Sequence, residues 1–150
     1  MRRRRLIVLL SAVAAVFGAV AFAVMAAGGV RGSAAETSAA YFAAWRAGNV
    51  EAMAALVHEP PADFRPRHLS MSTELGVKSV ELRPGAVKVT GEETAEVPFS
   101  GSRMLETFGA WPFDGTLRLA VRNRHWKVLW APETLHPLLK DGGKKSWKAL

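Results

Sequence analysis

The sequence contains no cysteine among its 150 residues and only one tyrosine. The absence of cysteine excludes disulfide bonds, thiol nucleophiles and cysteine-ligated metal sites. A domain without such cross-links depends on the packing of its own core. Apart from one hydrophobic run near the N-terminus, the sequence also lacks any stretch long and apolar enough to suggest a membrane-spanning segment.

A dense basic face is missing as well. The formal net charge is +7, but four of these charges belong to Arg2 to Arg5, which leaves +3 for the rest of the chain. The other cationic residues are scattered, with one small group at 122–127 and a pair near the C-terminus, Lys144 and Lys145. Nucleic-acid binders concentrate basic residues with interleaved aromatic ones. We therefore expect no nucleic-acid partner.

The one long hydrophobic run, residues 6–27, contains no charged side chain. As a helix it would extend about 33 Å, against a hydrocarbon core of about 30 Å. Four arginines precede it and Arg31 follows it, so the positive-inside rule places residues 1–5 in the cytoplasm. The run predicts a single-pass transmembrane signal anchor in the cell membrane, with the following domain outside the cytoplasm.

The alternative for this run is a cleaved signal peptide. Small residues near its end, at Ala23, Ala26 and Ala27, offer a possible cleavage site. A signal-peptide hydrophobic region usually has about 7–15 residues, and this run is longer. The length therefore favours an uncleaved anchor.

Residues 28–33 predict a short linker, and a helical pattern follows over residues 34–57. Tyr41 and Trp45 are four residues apart and share a helix face. Gly48 is suited to end a first helix and Asn49 to cap a second one.

The three prolines in residues 59–66 predict an irregular segment, and a short helix is the preferred interpretation of residues 67–75. The strings "VKSVEL", "AVKVT" and "TAEVPFS" predict a meander with turns at "RPG" and "GEE". Residues 101–109 are expected to connect through a short helix, before two longer strands around "RNRH". Helices followed by antiparallel strands predict an α+β fold with the helices on one face of a curved sheet.

Three groups of polar residues were considered as sites. His58 and Glu59 do not start a zinc-protease motif, because position 62 is alanine where a second histidine is needed. His58 and His68 are interpreted as surface histidines at helix ends rather than as metal ligands. The basic segment 122–125 is typical of a solvated hairpin tip rather than a phosphate site. For Glu133 and His136, no nucleophile is nearby, so no catalytic residue is predicted, and neither a metal nor a cofactor is expected.

Aromatic residues could line an apolar pocket, with Tyr41, Trp45 and Trp111 as its candidate walls. The favoured interpretation is that these side chains fill the core instead. Near the C-terminus, Pro132 and Pro137 are expected to fix two bends. The leucines that follow are expected to pack back onto the domain, namely Leu135, Leu138 and Leu139.

Three stretches together resemble a known family: "YFAAWRAGNVEAMAALV", "PPADF" and "HWKVLWAPETLHPLLKDG". They resemble the NTF2-like N-terminal domain of class B penicillin-binding proteins of the methicillin-resistance type. The resemblance spans residues 34–142, leaves 143–150 as a tail, and implies an NTF2-like cone. Its most specific part is a structural exit motif toward the next domain, formed by Trp126, Val128, Trp130, Pro132, His136, Pro137 and Leu139.

The transpeptidase motifs S-x-x-K and K-T-G are absent from this sequence. The resemblance therefore implies a non-catalytic stalk and partner-interaction domain in peptidoglycan synthesis or in the response to β-lactam antibiotics. Its partners would be the cytoplasmic membrane and cell-wall synthesis proteins or peptidoglycan. A stand-alone domain and a truncated penicillin-binding protein both remain open.

Two alternatives to this function stay open. One is a pocket module that binds or acts on a small lipid or cell-wall fragment. The other is a membrane-tethered scaffold with no link to the cell wall. The NTF2-like fold serves many functions, so the fold alone does not separate them.

Overall fold

The computed structural model describes residues 29–137 and residue 139. The expected basic tip (1–5), anchor (6–27) and C-terminal tail (143–150) lie outside the described residues. Within the described part of the chain, no helix is both long and apolar enough to cross a membrane.

The first two helices are where the sequence predicts them. Helix α1 spans Ala34–Arg46 and helix α2 spans Val50–Leu56. Ser33 caps α1 by accepting a hydrogen bond from the Glu36 N–H at 3.1 Å, and Asn49 caps α2 in the same way. Gly48 joins them with a φ of +67°, a conformation that glycine adopts without strain. The predicted two-helix unit is confirmed.

Helix α3 spans Phe64–Glu74 and begins earlier than expected. The preferred helix over 67–75 is confirmed, but the prediction that residues 64–66 are irregular is wrong. Pro66 occupies the third position of the helix, where a backbone N–H has no partner inside the helix. A proline is tolerated in this first turn, so its presence did not exclude a helix.

Five antiparallel strands form one sheet in the order β1-β3-β4-β5, with β2 also paired to β3. The strands are β1 Val77–Pro84, β2 Lys88–Gly91, β3 Thr94–Leu105, β4 Gly109–Arg122 and β5 His125–Val128. Together with the helices, they confirm the predicted α+β fold. The last strand is shorter than the expected one.

Two details of the predicted meander are wrong. The segment "RPG" is not a hairpin turn, since Pro84 pairs with Phe99 and the Gly85 N–H donates to the Pro98 carbonyl at 2.7 Å. Strands β1 and β2 therefore follow one another along the same edge of β3. The expected short helix within 101–109 is also not formed, because β3 continues to Leu105 and a turn leads directly into β4.

Glycine and phenylalanine face each other at two neighbouring positions of the β3–β4 pair. Phe99 pairs with Gly115, and Gly101 pairs with Phe113. A Cβ atom at Gly115 would lie 2.5 Å from Cζ of Phe99, and one at Gly101 would lie 2.7 Å from Cζ of Phe113. Glycine therefore provides the space in which these two rings lie across the sheet.

The core lies between the helices and the face of the sheet that carries Phe99 and Phe113. Tyr41, Phe42 and Trp45 of α1 are buried against it, and Phe42 meets Phe99 edge-on with ring centroids 5.2 Å apart. The closing segment, residues 131–137 and 139, contains helix α4 (Pro132–Leu135). It covers one side of the core with the buried side chains of Leu135 and Leu139.

Candidate functional site

The candidate site centres on Arg103, a charged residue inside the domain. Arg103 lies on β3 opposite Trp111, and only 1% of its surface is exposed. Inward-facing side chains alternate along β3, and Arg103 occupies an inward position between Gly101 and Leu105. The strand geometry therefore places a guanidinium group in the apolar core.

Aromatic rings surround this guanidinium group. Its central carbon lies 3.8 Å from the centroid of Phe113, 5.8 Å from that of Trp45 and 5.9 Å from that of Trp111. These distances permit cation–π attraction, which partly replaces the lost hydration of the cation. The aromatic side chains thus fill the core and also stabilise a buried charge.

The hydrogen bonds of Arg103 are incomplete. Its Nη2 donates to the backbone carbonyl of Leu135 in helix α4. Its Nη1 is buried and has no hydrogen-bond partner among the described protein atoms. No carboxylate of residues 29–137 forms an ion pair with it. The positive charge is therefore not neutralised within the described residues.

Two histidines lie near this charge and are affected by it. Burial, followed by the charge of Arg103, lowers the pKa of His68 to about 4. The same two causes lower the pKa of His136 to about 4. Burial also lowers the pKa of Arg103 itself to about 10. At neutral pH both imidazoles are therefore neutral, while the guanidinium keeps a single positive charge.

A cavity of about 110 Å³ adjoins this group and is called the arginine pocket here. Its walls include the polar side chains of Arg103 and His68, next to Trp45. The apolar part of the wall includes Val50, Met53, Met71 and Val80. Exposed residues border it on the side of the helices, at Gly48, Leu69 and Ser72. The pocket thus combines an apolar wall with one cation and one neutral imidazole.

The three predicted pocket residues lie in different surroundings. Trp45 lines the arginine pocket. Tyr41 does not line it and is fully buried, with its ring centroid 6.1 Å from that of Trp45. Burial raises the pKa of the Tyr41 phenol, and its hydroxyl has no partner among the described atoms. Trp111 stacks on His136 with ring centroids 4.3 Å apart. Trp45 and Trp111 are related through Arg103, which contacts both rings.

Sequence reasoning missed Arg103, and the prediction that His68 is a surface histidine is wrong, since only 8% of its surface is exposed. The sequence did contain a signal for the burial of Arg103. Alternate residues of a strand face the same side of the sheet, and Arg103 lies on the same side as Val97, Phe99, Gly101 and Leu105. Because Gly101 and Arg103 are not apolar, the alternation of apolar and polar residues is interrupted at these positions and was not recognised. The environment of His68 depends on three rings from distant parts of the chain, at Phe64, Trp45 and Trp130.

Of the three polar groups singled out in the sequence, two lie on the surface, whereas His136 of the Glu133–His136 pair is buried. His58 is partly exposed and its Nε2 lies 3.8 Å from the Glu59 carboxylate. No cluster of three metal-binding side chains occurs within the described ranges. Residues 122–125 form an exposed turn with positive φ at Asn123 and Arg124, as expected of a solvated hairpin tip.

Two wider depressions, of about 410 and 350 Å³, lie away from Arg103. The larger is bordered by Glu81, Arg83 and Asp114, and the smaller by Arg118 and Glu133. Both depressions are open to solvent, as the arginine pocket is, and both combine charges of opposite sign.

Comparison with known proteins identifies the fold and the family. The family model for the NTF2-like N-terminal transpeptidase domain matches residues 33–143. The chain belongs to this family. The resemblance found in the sequence is thereby confirmed, and the α+β fold is the NTF2-like fold. The matched part corresponds to the N-terminal domain and not to the catalytic transpeptidase domain.

Solved structures with this fold are distant in sequence. An NTF2-like transpeptidase candidate from Campylobacter jejuni has 12% identity and a TM-score of 0.42, covering 66% of this chain and 100% of its own. A ketosteroid isomerase-like protein from Erwinia carotovora atroseptica has 14% identity and a TM-score of 0.49, covering 62% and 85%. The Δ5-3-ketosteroid isomerase of Mycobacterium sp. has 10% identity and a TM-score of 0.46, covering 67% and 94%. A search of curated proteins gave no match.

In this NTF2-like transpeptidase domain, the residues of the exit motif form the last strand and the closing segment. Trp126 pairs with Val121, and Val128 is fully buried opposite Leu119. Trp130 packs edge-on against Phe64 with ring centroids 5.1 Å apart.

The second half of the motif packs back onto the domain. Pro132 begins helix α4, His136 is buried, Pro137 is exposed and Leu139 is 2% exposed. The expected packing of Leu135 and Leu139 is confirmed, while the side chain of Leu138 lies outside the described residues.

Proposed function

We propose that this chain is a membrane-anchored, extracytoplasmic NTF2-like transpeptidase domain that acts as a non-catalytic stalk and partner surface. Its place would be in peptidoglycan synthesis or in the response to β-lactam antibiotics. The observation that carries the proposal is the family match over residues 33–143. The hydrophobic run at 6–27 and the lack of S-x-x-K and K-T-G motifs in the sequence support it.

The closing segment supports a role as a spacer. In the family resemblance it leads toward a following domain, and here it is held to the core by buried side chains and by the Arg103–Leu135 hydrogen bond. We expect a segment attached in this way to hold a fixed orientation relative to the core. A stalk or partner platform needs this kind of rigid attachment.

The non-catalytic part is tested with a fluorescent penicillin. Membranes containing the full chain are incubated with the reagent beside membranes containing an intact class B penicillin-binding protein. We expect covalent labelling of the intact enzyme and none of this chain, because a serine acylated by penicillin requires the missing motifs. Covalent labelling of this chain would contradict the proposal.

The anchor is tested with alkaline phosphatase fused to the C-terminus, because this enzyme is active only after export. The full chain is expected to give phosphatase activity in carbonate-resistant membranes, whereas a variant lacking residues 2–27 stays in the cytoplasm and is inactive. The mass of the exported product separates an uncleaved anchor from a cleaved signal peptide. A product shortened by the hydrophobic run would overturn the anchor.

The cell-wall role is tested by deleting the gene and restoring it in two forms. We expect the deletion to change β-lactam susceptibility at least twofold, and the full chain to restore it. The variant without residues 2–27 should not restore it. Unchanged susceptibility together with unchanged incorporation of wall precursors would contradict the cell-wall role and favour a scaffold of another kind.

The alternative of a pocket module depends on the sizes of the cavities among the described residues. Ligand pockets for drug-sized molecules usually measure about 300–1,000 Å³. The arginine pocket has about 110 Å³ and does not suit a lipid chain or a disaccharide. This pocket can accommodate only a smaller chemical group, whereas the two wider depressions, of about 410 and 350 Å³, have the usual volume and keep the alternative open.

A further inference from the structure

We propose that the arginine pocket binds the carboxylate group of a small organic acid. The proposal goes beyond the stalk role and does not depend on it. Two observations carry it: a buried guanidinium without a carboxylate partner among the described residues, and a small cavity whose lining includes Arg103 and His68.

The first step of the argument concerns charge. An ion removed from water is unfavourable unless an opposite charge or several hydrogen bonds compensate for it. Arg103 is 1% exposed, Nη2 has one carbonyl partner, and the buried Nη1 has none among the described atoms. Aromatic rings compensate only part of this loss. A monoanion at Nη1 would complete the site.

The second step concerns the donors. His68 is 8% exposed, lines the same pocket, and its buried Nε2 also has no partner within residues 29–137 and 139. In the tautomer with a proton on Nε2, His68 is a neutral donor. A carboxylate has two oxygens, and in the proposed complex it would accept from Nη1 and Nε2 after a small movement of the two side chains, since both atoms are buried in this structure. One negative charge then balances one positive charge.

The third step concerns size and shape. A volume of about 110 Å³ accommodates a carboxylate with a short alkyl group, such as acetate or propionate. Val50, Met53 and Val80 supply an apolar wall for the alkyl part. The exposed residues Leu69 and Ser72 at the border mark the side from which a ligand would enter. The combination favours a monocarboxylate over inorganic phosphate.

The experiment uses the purified full chain in a nonionic detergent. Propionate is titrated at constant ionic strength while tryptophan fluorescence is recorded, since Trp45 and Trp111 lie within 6 Å of the guanidinium carbon. We expect a saturable change with propionate. Propionamide, which has the same shape without the charge, and sodium chloride should give none.

Two variants and one control locate the binding. Arg103→Met is expected to weaken propionate binding tenfold or more, because a charged hydrogen bond is lost. Ser72→Trp should weaken it by obstructing the entry while leaving the buried groups unchanged. Arg83→Gln, on the exposed edge of β1, should bind like the wild type. Near-UV circular dichroism checks that each variant is folded.

Several results would overturn the proposal. These are no saturable response of the wild type, an equal response to propionamide, or unchanged binding by both Arg103→Met and Ser72→Trp. The carboxylate could also come from the chain itself, and Asp141, outside the described residues, is the nearest candidate in sequence after Leu139. Binding that appears only in Asp141→Asn would assign the pocket to that side chain and contradict a free ligand.

Discussion

At the scale of single residues, the unusual feature is a cation buried among aromatic rings. Arg103 contacts Phe113, Trp45 and Trp111 and donates one hydrogen bond to Leu135. Leucine or methionine at this position would fill similar space without the cost of removing a charge from water. We therefore expect the arginine to keep the stability of this core at or below the value that an apolar side chain would give.

The first prediction is that Arg103→Met leaves the free energy of unfolding unchanged or raises it by up to about 2 kcal/mol. Methionine fills the core without a charge, although the bond to the Leu135 carbonyl is lost. Urea denaturation of both proteins measures the effect. The matched variant Arg103→Ala should instead destabilise by about 2–4 kcal/mol, because it leaves a cavity. A methionine variant as unstable as the alanine one would contradict this view.

The second prediction concerns the pH dependence due to His68. In the unfolded chain a histidine has a pKa of about 6.5, whereas burial and Arg103 lower it to about 4 in the folded protein. Between these pH values the unfolded state binds more protons, so stability falls as the pH is lowered. We expect His68 to account for a loss of about 3 kcal/mol between pH 7 and pH 4.

This effect is measured as a difference from His68→Phe, which keeps an aromatic ring. The stability of the wild type relative to this variant should decrease as the pH falls from 7 to 4. The carboxylates contribute to the pH dependence of both proteins alike, so their contributions cancel in this difference. His125→Gln, in the exposed β4–β5 turn, serves as the control and should parallel the wild type. A constant difference between wild type and His68→Phe across this range would be inconsistent with a neutral buried imidazole.

At the scale of elements, the β3–β4 pair organises the site. Its register places Phe99 opposite Gly115, Phe113 opposite Gly101 and Arg103 opposite Trp111. Each phenylalanine ring occupies the space that a side chain opposite would need. Because the rings of Phe99 and Phe113 also contact Trp45, the glycines indirectly position the wall of the arginine pocket.

The third prediction is that Gly115→Ala destabilises the domain by about 1–3 kcal/mol. The added Cβ would lie 2.5 Å from Cζ of Phe99, a ring that is 5% exposed and packed against Phe42, so it has little room to move. Thermal unfolding measures the change. Ser100→Ala, an exposed position on the same strand pair, should change stability by less than about 0.5 kcal/mol. Equal stabilities of the two variants would contradict the close approach.

At the scale of the folded domain, residues 32–137 and 139, the closing segment is part of the core. Leu135 and Leu139 are each 2% exposed, and the Leu135 carbonyl accepts a hydrogen bond from Arg103. The C-terminal stretch that resembles an exit toward another domain thus also covers the interior of this one.

The fourth prediction is that Leu135→Ala destabilises the whole domain by about 2–5 kcal/mol, through lost burial and the cavity left behind. The backbone carbonyl remains, so the bond to Arg103 is not the cause. Pro137→Ala in the same segment is exposed and should have little effect. Guanidinium denaturation followed by tryptophan fluorescence distinguishes them. If Leu135→Ala were as stable as Pro137→Ala, the closing segment would not belong to the cooperative unit.

Much of the helical half could be predicted because its signals are local. The caps at Gly48 and Asn49 and the spacing of Tyr41 and Trp45 involve residues within one or two helical turns. The start of α3 was missed because a proline in a first turn resembles a helix breaker. The edge formed by β1 and β2 was missed because pairing depends on β3, which is distant in sequence from β1.

By itself, the sequence determined the helix boundaries near the caps, the α+β order and the family, since these depend on short-range patterns and on motifs within single stretches. Only the tertiary structure decided that Arg103 is buried, that His68 is neutral beside it, and that Trp45 forms part of a cavity while Tyr41 does not. The reason is physical: burial and charge compensation are properties of surroundings that several distant segments create together. The environment of the charge at Arg103 is set by aromatic rings and a backbone carbonyl from other segments of the chain.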